Sequence, residues 1–532
     1  MSAPLERLVG RPRATVPEVL EARARRTPDA PFLRWEHRRW TYAEGLAEIR
    51  RFAGWARAGA PAGGGERRIA SVLPNRAETM WTWLGSLASG AVYVPLNRAH
   101  RGELLEDLLR RSGADVLVTD LDGLELLPAL DGTPVTTLLL VDDEAPADPP
   151  PCVRVATWGE VEAAAPAPDA TAGPSDPAIV MYTSGTTGRS KAVLMSHNQL
   201  CRGAAAVAHS LELAPDDVVH AWLPLYHVAG QVDSVLCTVI AGGAVDLQPT
   251  FSRSRFWEQV AASGATIFVG FSNVLEILWA MAPSPADAGC SLRVGMIGAI
   301  PTTLHRGFEE RFGVRLCDVY GMTEAEPIAL PEPGVELPVG SCGRASPDFE
   351  VVVLDDADRV LPAGEVGELA VRPRVPDVMF IRYEDDERAT LDACRSLWFH
   401  TGDLGRIDED GFVYFVDRRK HAIRRRGENV SSWELESIIA RHPAVDECCA
   451  VGVPSPLGEE DVKVVIVPRA QASVEPAELR DWCEGRMARF MLPRYIDVVD
   501  ALPRNAAGKL QKEQLRAPSA STWDAEAQAV AR

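Results

Sequence analysis

The chain has 532 residues, 46% of them hydrophobic, and a formal charge of −20. That length exceeds what one ordinary core fills, so at least two domains are expected. The acidic balance argues against nucleic acid or an anionic membrane surface as the main partner, while leaving local basic clusters able to hold small anions.

The N-terminal stretch "MSAPLERLVGRPRATVPEVLEARARRTPDA" is charged throughout and has no apolar run of signal-peptide length. Strand-like apolar runs then alternate with helical patterns. "RRIASVLPN" leads into "RAETMWTWLGSLASGAVYVPL", and "DVLVTD" and "TTLLLVDD" follow. "ATIFVGF" precedes "SNVLEILWAMA", and "RVGMIGA" precedes "PTTLHRGFEERFG". Buried runs followed by amphipathic helices predict parallel-sheet α/β construction. The Pro-, Ala- and Asp-rich stretch 144–177 reads as a surface connection. From Val339 the pattern changes to short strands and turns, a small β-subdomain of about 339–418 within an N-terminal domain 1–418. A second break near Asp417–Lys420 opens a helix–strand–strand–helix pattern, a small α+β domain over 421–517. The Ala- and Ser-rich tail 518–532 is expected to be disordered. No run of about 18 apolar residues predicts a membrane span. Ten cysteines lack CxxC or zinc spacing, which suits reduced thiols and a cytoplasmic enzyme.

Only five lysines stand against 50 arginines, which makes each lysine informative. One lies in "MYTSGTTGRSKAV" (Met181–Val193), after the apolar run Ala178–Val180. Backbone N–H groups of such a Gly/Ser/Thr loop can converge on phosphate oxygens, with hydroxyls and a lysine adding donors and charge. Lys191 lies three residues beyond Gly188 and is followed by Ala192, so the loop is neither a Walker nor a Rossmann motif. On composition alone, a polar turn after a buried strand explains it equally well.

Further motifs follow in order: "PLYHVAGQ" (Pro224–Gln231), "GAIP" (Gly298–Pro301), "YGMTEAEP" (Tyr320–Pro327), "WFHTGDLGRIDEDGFVYFVDRRKHAIRRRGENVSSWELE" (Trp398–Glu436) and "LPRNAAGKLQK" (Leu502–Lys512). Together they resemble the adenylate-forming superfamily of acyl-CoA synthetases, peptide-synthetase adenylation domains and luciferases. Within it the chain is most similar to acyl-CoA ligases of the carnitine/crotonobetaine type. The resemblance implies a large N-terminal α/β domain of several subdomains and a small, mobile α+β C-terminal domain. It implies an acid–thiol ligase that uses ATP, Mg²⁺ and CoA. Carboxylate attacks the α-phosphorus of ATP to give acyl-AMP and pyrophosphate, then a thiol attacks the acyl carbon and expels AMP.

The roles that follow are those the resemblance implies. Thr183, Ser184, Gly185, Thr186, Thr187, Gly188 and Lys191 would hold the β- and γ-phosphates. Glu324 would ligate Mg²⁺, a hard cation that seeks oxygen. Thr323 would touch the α-phosphate, Asp403 and Arg418 the ribose, and Tyr320 the adenine, with Gly298, Ala299 and Gly321 completing the nucleotide site. Lys509 would bridge carboxylate and α-phosphate, and His227 would act by position between the acyl and thiol tunnels. The C-terminal domain would pivot about Lys420, presenting Lys509 for the first step and the Gly427 face for the second. Six basic residues within Arg418–Arg426 suggest that Arg424, Arg425 and Arg426 bind CoA phosphates, with Gly427 leaving room for pantetheine.

The acyl pocket is expected to include Val232, Val235, Phe271, Ser272, Asn273, Ile300 and Met322. That largely apolar set, with no evident fixed acid, points to a non-amino, fairly hydrophobic carboxylic acid. Ser190, Ala192, Pro373, Ile381 and Arg382 depart from the family pattern and motivate a variant reading. In it adenylation is weak and a second, adenylating enzyme supplies acyl-AMP. A standalone adenylation enzyme loading a carrier protein is a further alternative. A homodimer is the other protein association expected.

Overall fold

The computed structural model describes residues 3–530 apart from 61–65, 143–149, 152, 169–171, 184–189, 284–289, 303, 419–422, 427, 431, 456–457, 471, 504–509, 511, 518 and 520. Two large sheets build the N-terminal part. An eight-stranded sheet places the parallel strands Arg68–Val72, Val92–Pro95, Val116–Thr119, Thr137–Leu140 and Arg154–Thr157 beside Pro177–Thr183. The last of these pairs antiparallel with Lys191–Ser196, which in turn pairs with the short strand Arg382–Glu384. A nine-stranded sheet has Val218–Ala221, Ile267–Phe271, Val294–Gly298 and Arg315–Met322 running parallel at its centre. These strands are buried apolar runs, as expected for a sheet covered on both faces.

The stretch 144–177 is more than a connection. Arg154–Thr157 is the edge strand of the first sheet, and the helix Trp158–Glu162 follows, with Trp158 and Val161 buried. Four strands, Phe349–Leu354, Gly367–Pro373, Phe399–Ile407 and Val413–Arg418, form a separate four-stranded sheet. Arg382–Glu384 leaves it for the eight-stranded sheet, and this carries Tyr383 into the site.

After residue 430 come helix Ser432–Ile439, strands Val445–Pro454 and Glu460–Pro468, and helix Pro476–Cys483. The tail corrects the sequence reading. Trp523–Asp524 pairs with Tyr495–Val498, and helix Ala525–Val530 follows. Arg494 holds this end through Asp524 and Glu526. Two charge pairs and a strand register fix a segment whose composition alone suggested disorder. No helix among the described residues is long and apolar enough to cross a membrane.

Candidate active site

A cavity of about 1130 Å³ lies where the two large sheets, the β-subdomain and the C-terminal part meet. Lys191 opens a strand and stands opposite Thr183 across the ladder, so both ends of the Gly/Ser/Thr loop reach the cavity wall. Ser184, Gly185, Thr186, Thr187 and Gly188 lie outside the described residues. The Lys191 ammonium sits over the Tyr383 ring, 4.2 Å from its centroid. The Tyr383 hydroxyl donates to Glu324 Oε1 at 2.6 Å. Burial and the Glu324 charge push the Tyr383 phenol well above its usual range, so it stays a donor. Gln199, in a helix capped by Ser196, donates to the Thr323 carbonyl at 3.0 Å, and the Phe380 N–H donates to the Glu324 carbonyl at 2.8 Å. The Thr323–Glu324 turn is therefore pinned from two sides.

On the nucleotide side, Asp318 accepts from the N–H groups of Ala299 and Ile300 at 3.1 and 3.0 Å. These bonds hold Ala299 in the left-handed region, at φ 61°. Burial raises the Asp318 carboxyl to about 6. At Gly298 an added Cβ would come within 2.9 Å of the Phe271 ring, so the close approach excludes a side chain. Tyr320 donates from its hydroxyl to Asp403 Oδ2 at 3.0 Å. Arg418, described for its backbone, is the cross-strand partner of Asp403. Behind them Glu368 accepts from the Gly402 N–H and meets His400 Nδ1, both at 3.1 Å. The proposed ribose and adenine residues thus come together on one wall.

The opposite wall is the hairpin of Ile423–Arg425 and Glu428–Val430. Glu428 reaches out of the C-terminal part, with Oε2 3.0 Å from His227 Nε2 and Oε1 accepting from the Tyr226 hydroxyl at 3.2 Å. Burial opposes the charged forms of both His227 and Glu428. Their mutual attraction and hydrogen bond outweigh it, raising His227 and lowering Glu428. Nearby, burial lowers His100 to about 4, so it stays neutral near pH 7. The Arg424 guanidinium covers the Phe271 ring at 5.4 Å.

Arg425 corrects the expectation for the basic run. It is buried, donates to the Phe490 carbonyl at 3.2 Å and faces Asp461 at 3.2 Å. Alternation along the hairpin turns it inward, so it braces the C-terminal core instead of facing a ligand. Arg426 is exposed, at φ 54°. Lys420, Gly427 and Lys509 lie outside the described residues.

The acyl wall also differs from expectation. Phe271 and Met322 line the cavity, with Gly298, Ala299, Gly321 and Thr323 nearby. Val232, Val235 and Ile300 pack into the hydrophobic core instead, and Ser272 and Asn273 begin a helix away from the cavity wall. Asp233 and Glu326 line the cavity in their place. Both were within reach of sequence reasoning: Glu326 lies in "YGMTEAEP", and Asp233 falls between two residues named for the pocket.

The AMP-binding enzyme model matches residues 20–379, and the AMP-binding enzyme C-terminal domain model matches residues 434–509. The chain belongs to the AMP-binding enzyme family. This family member is 33% identical over 458 residues to crotonobetaine/carnitine–CoA ligase of Salmonella paratyphi C, covering 84% of this chain and 88% of the relative. Its fold is similar to o-succinylbenzoate CoA synthetase (MenE) from Bacillus subtilis, solved with a product analogue. There the TM-score is 0.80 at 28% identity, covering 94% of this chain and 98% of that one. The amide bond synthetase McbA from Marinactinospora thermotolerans gives a TM-score of 0.81 at 25% identity, over 94% and 99% of the two chains.

Proposed function

We propose that this AMP-binding enzyme is an ATP-dependent acyl-CoA ligase. The observation that carries the reading is one cavity walled by Lys191, Thr323, Glu324, Tyr320 and Asp403, and faced across it by Arg424 and Glu428 of the C-terminal hairpin. The first group suits a nucleotide and the second suits a thiol substrate arriving from the C-terminal side.

In the first step two anions must meet, so cations and donors have to offset their repulsion and the charge growing on phosphorus. Lys191, held by the Tyr383 ring, is positioned to do this for the phosphates. Glu324 suits Mg²⁺: it is a hard carboxylate fixed through one oxygen by Tyr383 and lining the cavity beside Thr323. Magnesium characteristically takes one or two carboxylates together with water and phosphate oxygens. When bound there the ion would neutralise phosphate charge. Tyr320 and Asp403 would orient the nucleoside. Lys509, by the family pattern, would bridge carboxylate and α-phosphate. In the second step Glu428, anchored on His227 and Tyr226, would hold the C-terminal hairpin across the cavity while sulfur attacks the acyl carbon and AMP leaves. The geometry thus supports a pose suited to thioester formation; by the family pattern, Lys420 would be the pivot between poses.

The departures from the family loop cost little here. Ala192 is buried inside a regular strand, paired with Tyr182 and Glu384, where glycine has no advantage. The Ser190 carbonyl accepts from Arg111 at 2.9 Å, and the Ile381 N–H donates to the Leu194 carbonyl at 2.7 Å. These contacts favour an enzyme that makes its own acyl-AMP over one supplied by a partner. The reaction belongs in the cytoplasm, where ATP and CoA are at hand. Mass spectrometry of a panel of carboxylic acids incubated with ATP and CoA tests the proposal. An acyl-CoA product with AMP and pyrophosphate supports it. Amide products with an added amine, and no thioester, would assign the chain to amide synthesis instead.

A further inference from the structure

Two buried carboxyl groups line the acyl side of the cavity, and the mechanism above uses neither. Asp233 projects from the π-helical segment Ala229–Leu236, a backbone form that often marks functional positions. Its residue is 3% exposed, and its Oδ1 has no hydrogen-bond partner among the described residues. Glu326 is the second residue of the return strand Ala325–Leu330 after the Thr323–Glu324 turn and is 8% exposed. Its carboxylate lies against Gly321, where an added Cβ would come within 2.2 Å of Oε2. Gly321 therefore leaves the space that this carboxylate occupies at the cavity wall. Among the described residues no arginine or lysine forms an ion pair with either acid. Lys191 is engaged with Tyr383, and Arg424 with Phe271 and Glu459.

We propose that the acid activated here carries a protonated amine, and that Asp233 and Glu326 bind its ammonium group. The inference rests on the acid-activating reading of the site and specifies its substrate class. It departs from the non-amino acid that the sequence suggested, because Val232, Val235 and Ile300 turn into the core and these two carboxyls join Phe271 and Met322 at the wall. A buried acceptor without a donor is costly, and an apolar acyl tail would leave it so. An ammonium supplies both the missing N–H donors and the charge that two neighbouring carboxyls lack. A quaternary ammonium has no N–H to give Asp233 Oδ1 and is disfavoured. Burial raises the Asp233 carboxyl to about 8, as expected for an acid with no cation beside it.

The test compares matched acids with the full chain: β-alanine to 6-aminohexanoate against butanoate to heptanoate, 4-(aminomethyl)benzoate against 4-ethylbenzoate, and 4-(trimethylammonio)butanoate. Pyrophosphate release and hydroxylamine capture report adenylation, mass spectrometry reports the thioester, and calorimetry with the AMP-loaded chain reports binding without turnover. The expected result is at least a 10-fold preference for a primary amine over its neutral match. Asp233→Asn and Glu326→Gln should each narrow that ratio at least 5-fold. Neutral acids equal to or better than their amines overturn the proposal, as does an unchanged ratio in both variants. Equal use of the trimethylammonium acid also overturns it. Adenylation of amine acids without a CoA product would sink the CoA reading and leave this inference standing. CoA ligation of neutral acids alone would do the reverse. If no acid turns over, the binding arm decides: no amine preference there overturns the proposal. If a variant fails to fold, the matched pairs on the unaltered chain still decide it.

Discussion

Replacing Glu428 by Gln should impair the second half-reaction and spare the first. The substitution keeps the shape of the side chain and removes its charge. In the structure Glu428 accepts from Tyr226 at 3.2 Å and pairs with His227 at 3.0 Å. A hydrogen bond to a charged group is worth about 1.5–3 kcal/mol net. The His227 side chain is 40% exposed, so solvent screening reduces the figure to about 1–2 kcal/mol. That corresponds to roughly a 5- to 30-fold fall in thioester formation from supplied acyl-AMP and CoA. Pyrophosphate release from acid and ATP should stay within about 2-fold of the unaltered enzyme, because the lost contact belongs to the hairpin-docked pose.

The pH dependence has a definite sign. His227 is raised above 6.5 and Glu428 lowered below 4.5, so the pair is at full strength between those values. It weakens as pH rises through the raised His227 value and as pH falls through the lowered Glu428 value. Glu428→Gln should remove that dependence from the thioester step. Equal loss in both half-reactions, or no loss in either, would refute the reasoning.

Three further substitutions divide the same two steps. Lys509→Ala should abolish pyrophosphate release while leaving thioester formation from supplied acyl-AMP largely intact; matched losses in separate half-reaction assays would contradict this. Gly427→Trp should do the reverse by blocking the pantetheine path, and acyl-CoA formed at the unaltered rate would place that path elsewhere. Tyr383→Phe keeps the ring beneath Lys191 but removes the hydrogen bond to Glu324. Adenylation should fall roughly 10- to 150-fold, measured as pyrophosphate release at saturating Mg²⁺, with thioester formation unchanged.

Much of this site could be read from the sequence because its chemistry is carried by residue identity at short range. "YGMTE" puts Tyr320 near the end of a strand with Thr323 and Glu324 on the turn that follows, and "HTGD" puts Asp403 within a strand beside Gly402. What escaped depends on distance and facing. Glu428 meets His227 across 201 positions, and no local pattern announces that pair. Tyr383 belongs to a three-residue strand whose register against Lys191–Ser196 exists only in the folded sheet. The inward turn of Arg425 was available in principle, since alternate residues of a strand face opposite sides. The basic run drew attention to charge and away from that alternation. Val232, Asp233 and Val235 share a π-helical segment, where ordinary helical spacing does not give the facing residues, so the two valines pack into the core while Asp233 reaches the cavity wall. The tail strand Trp523–Asp524 is too short for any periodicity to register.

The most direct test of the central claim follows one oxygen atom. The acid that supports the fastest pyrophosphate release is labelled with ¹⁸O in both carboxyl oxygens and incubated with ATP, Mg²⁺ and CoA, and the products are weighed by mass spectrometry. If the carboxylate attacks the α-phosphorus, one labelled oxygen leaves with AMP and one remains in the thioester carbonyl. Label appearing in inorganic phosphate with ADP as the nucleotide product, or unlabelled AMP beside acyl-CoA, would contradict an adenylate intermediate.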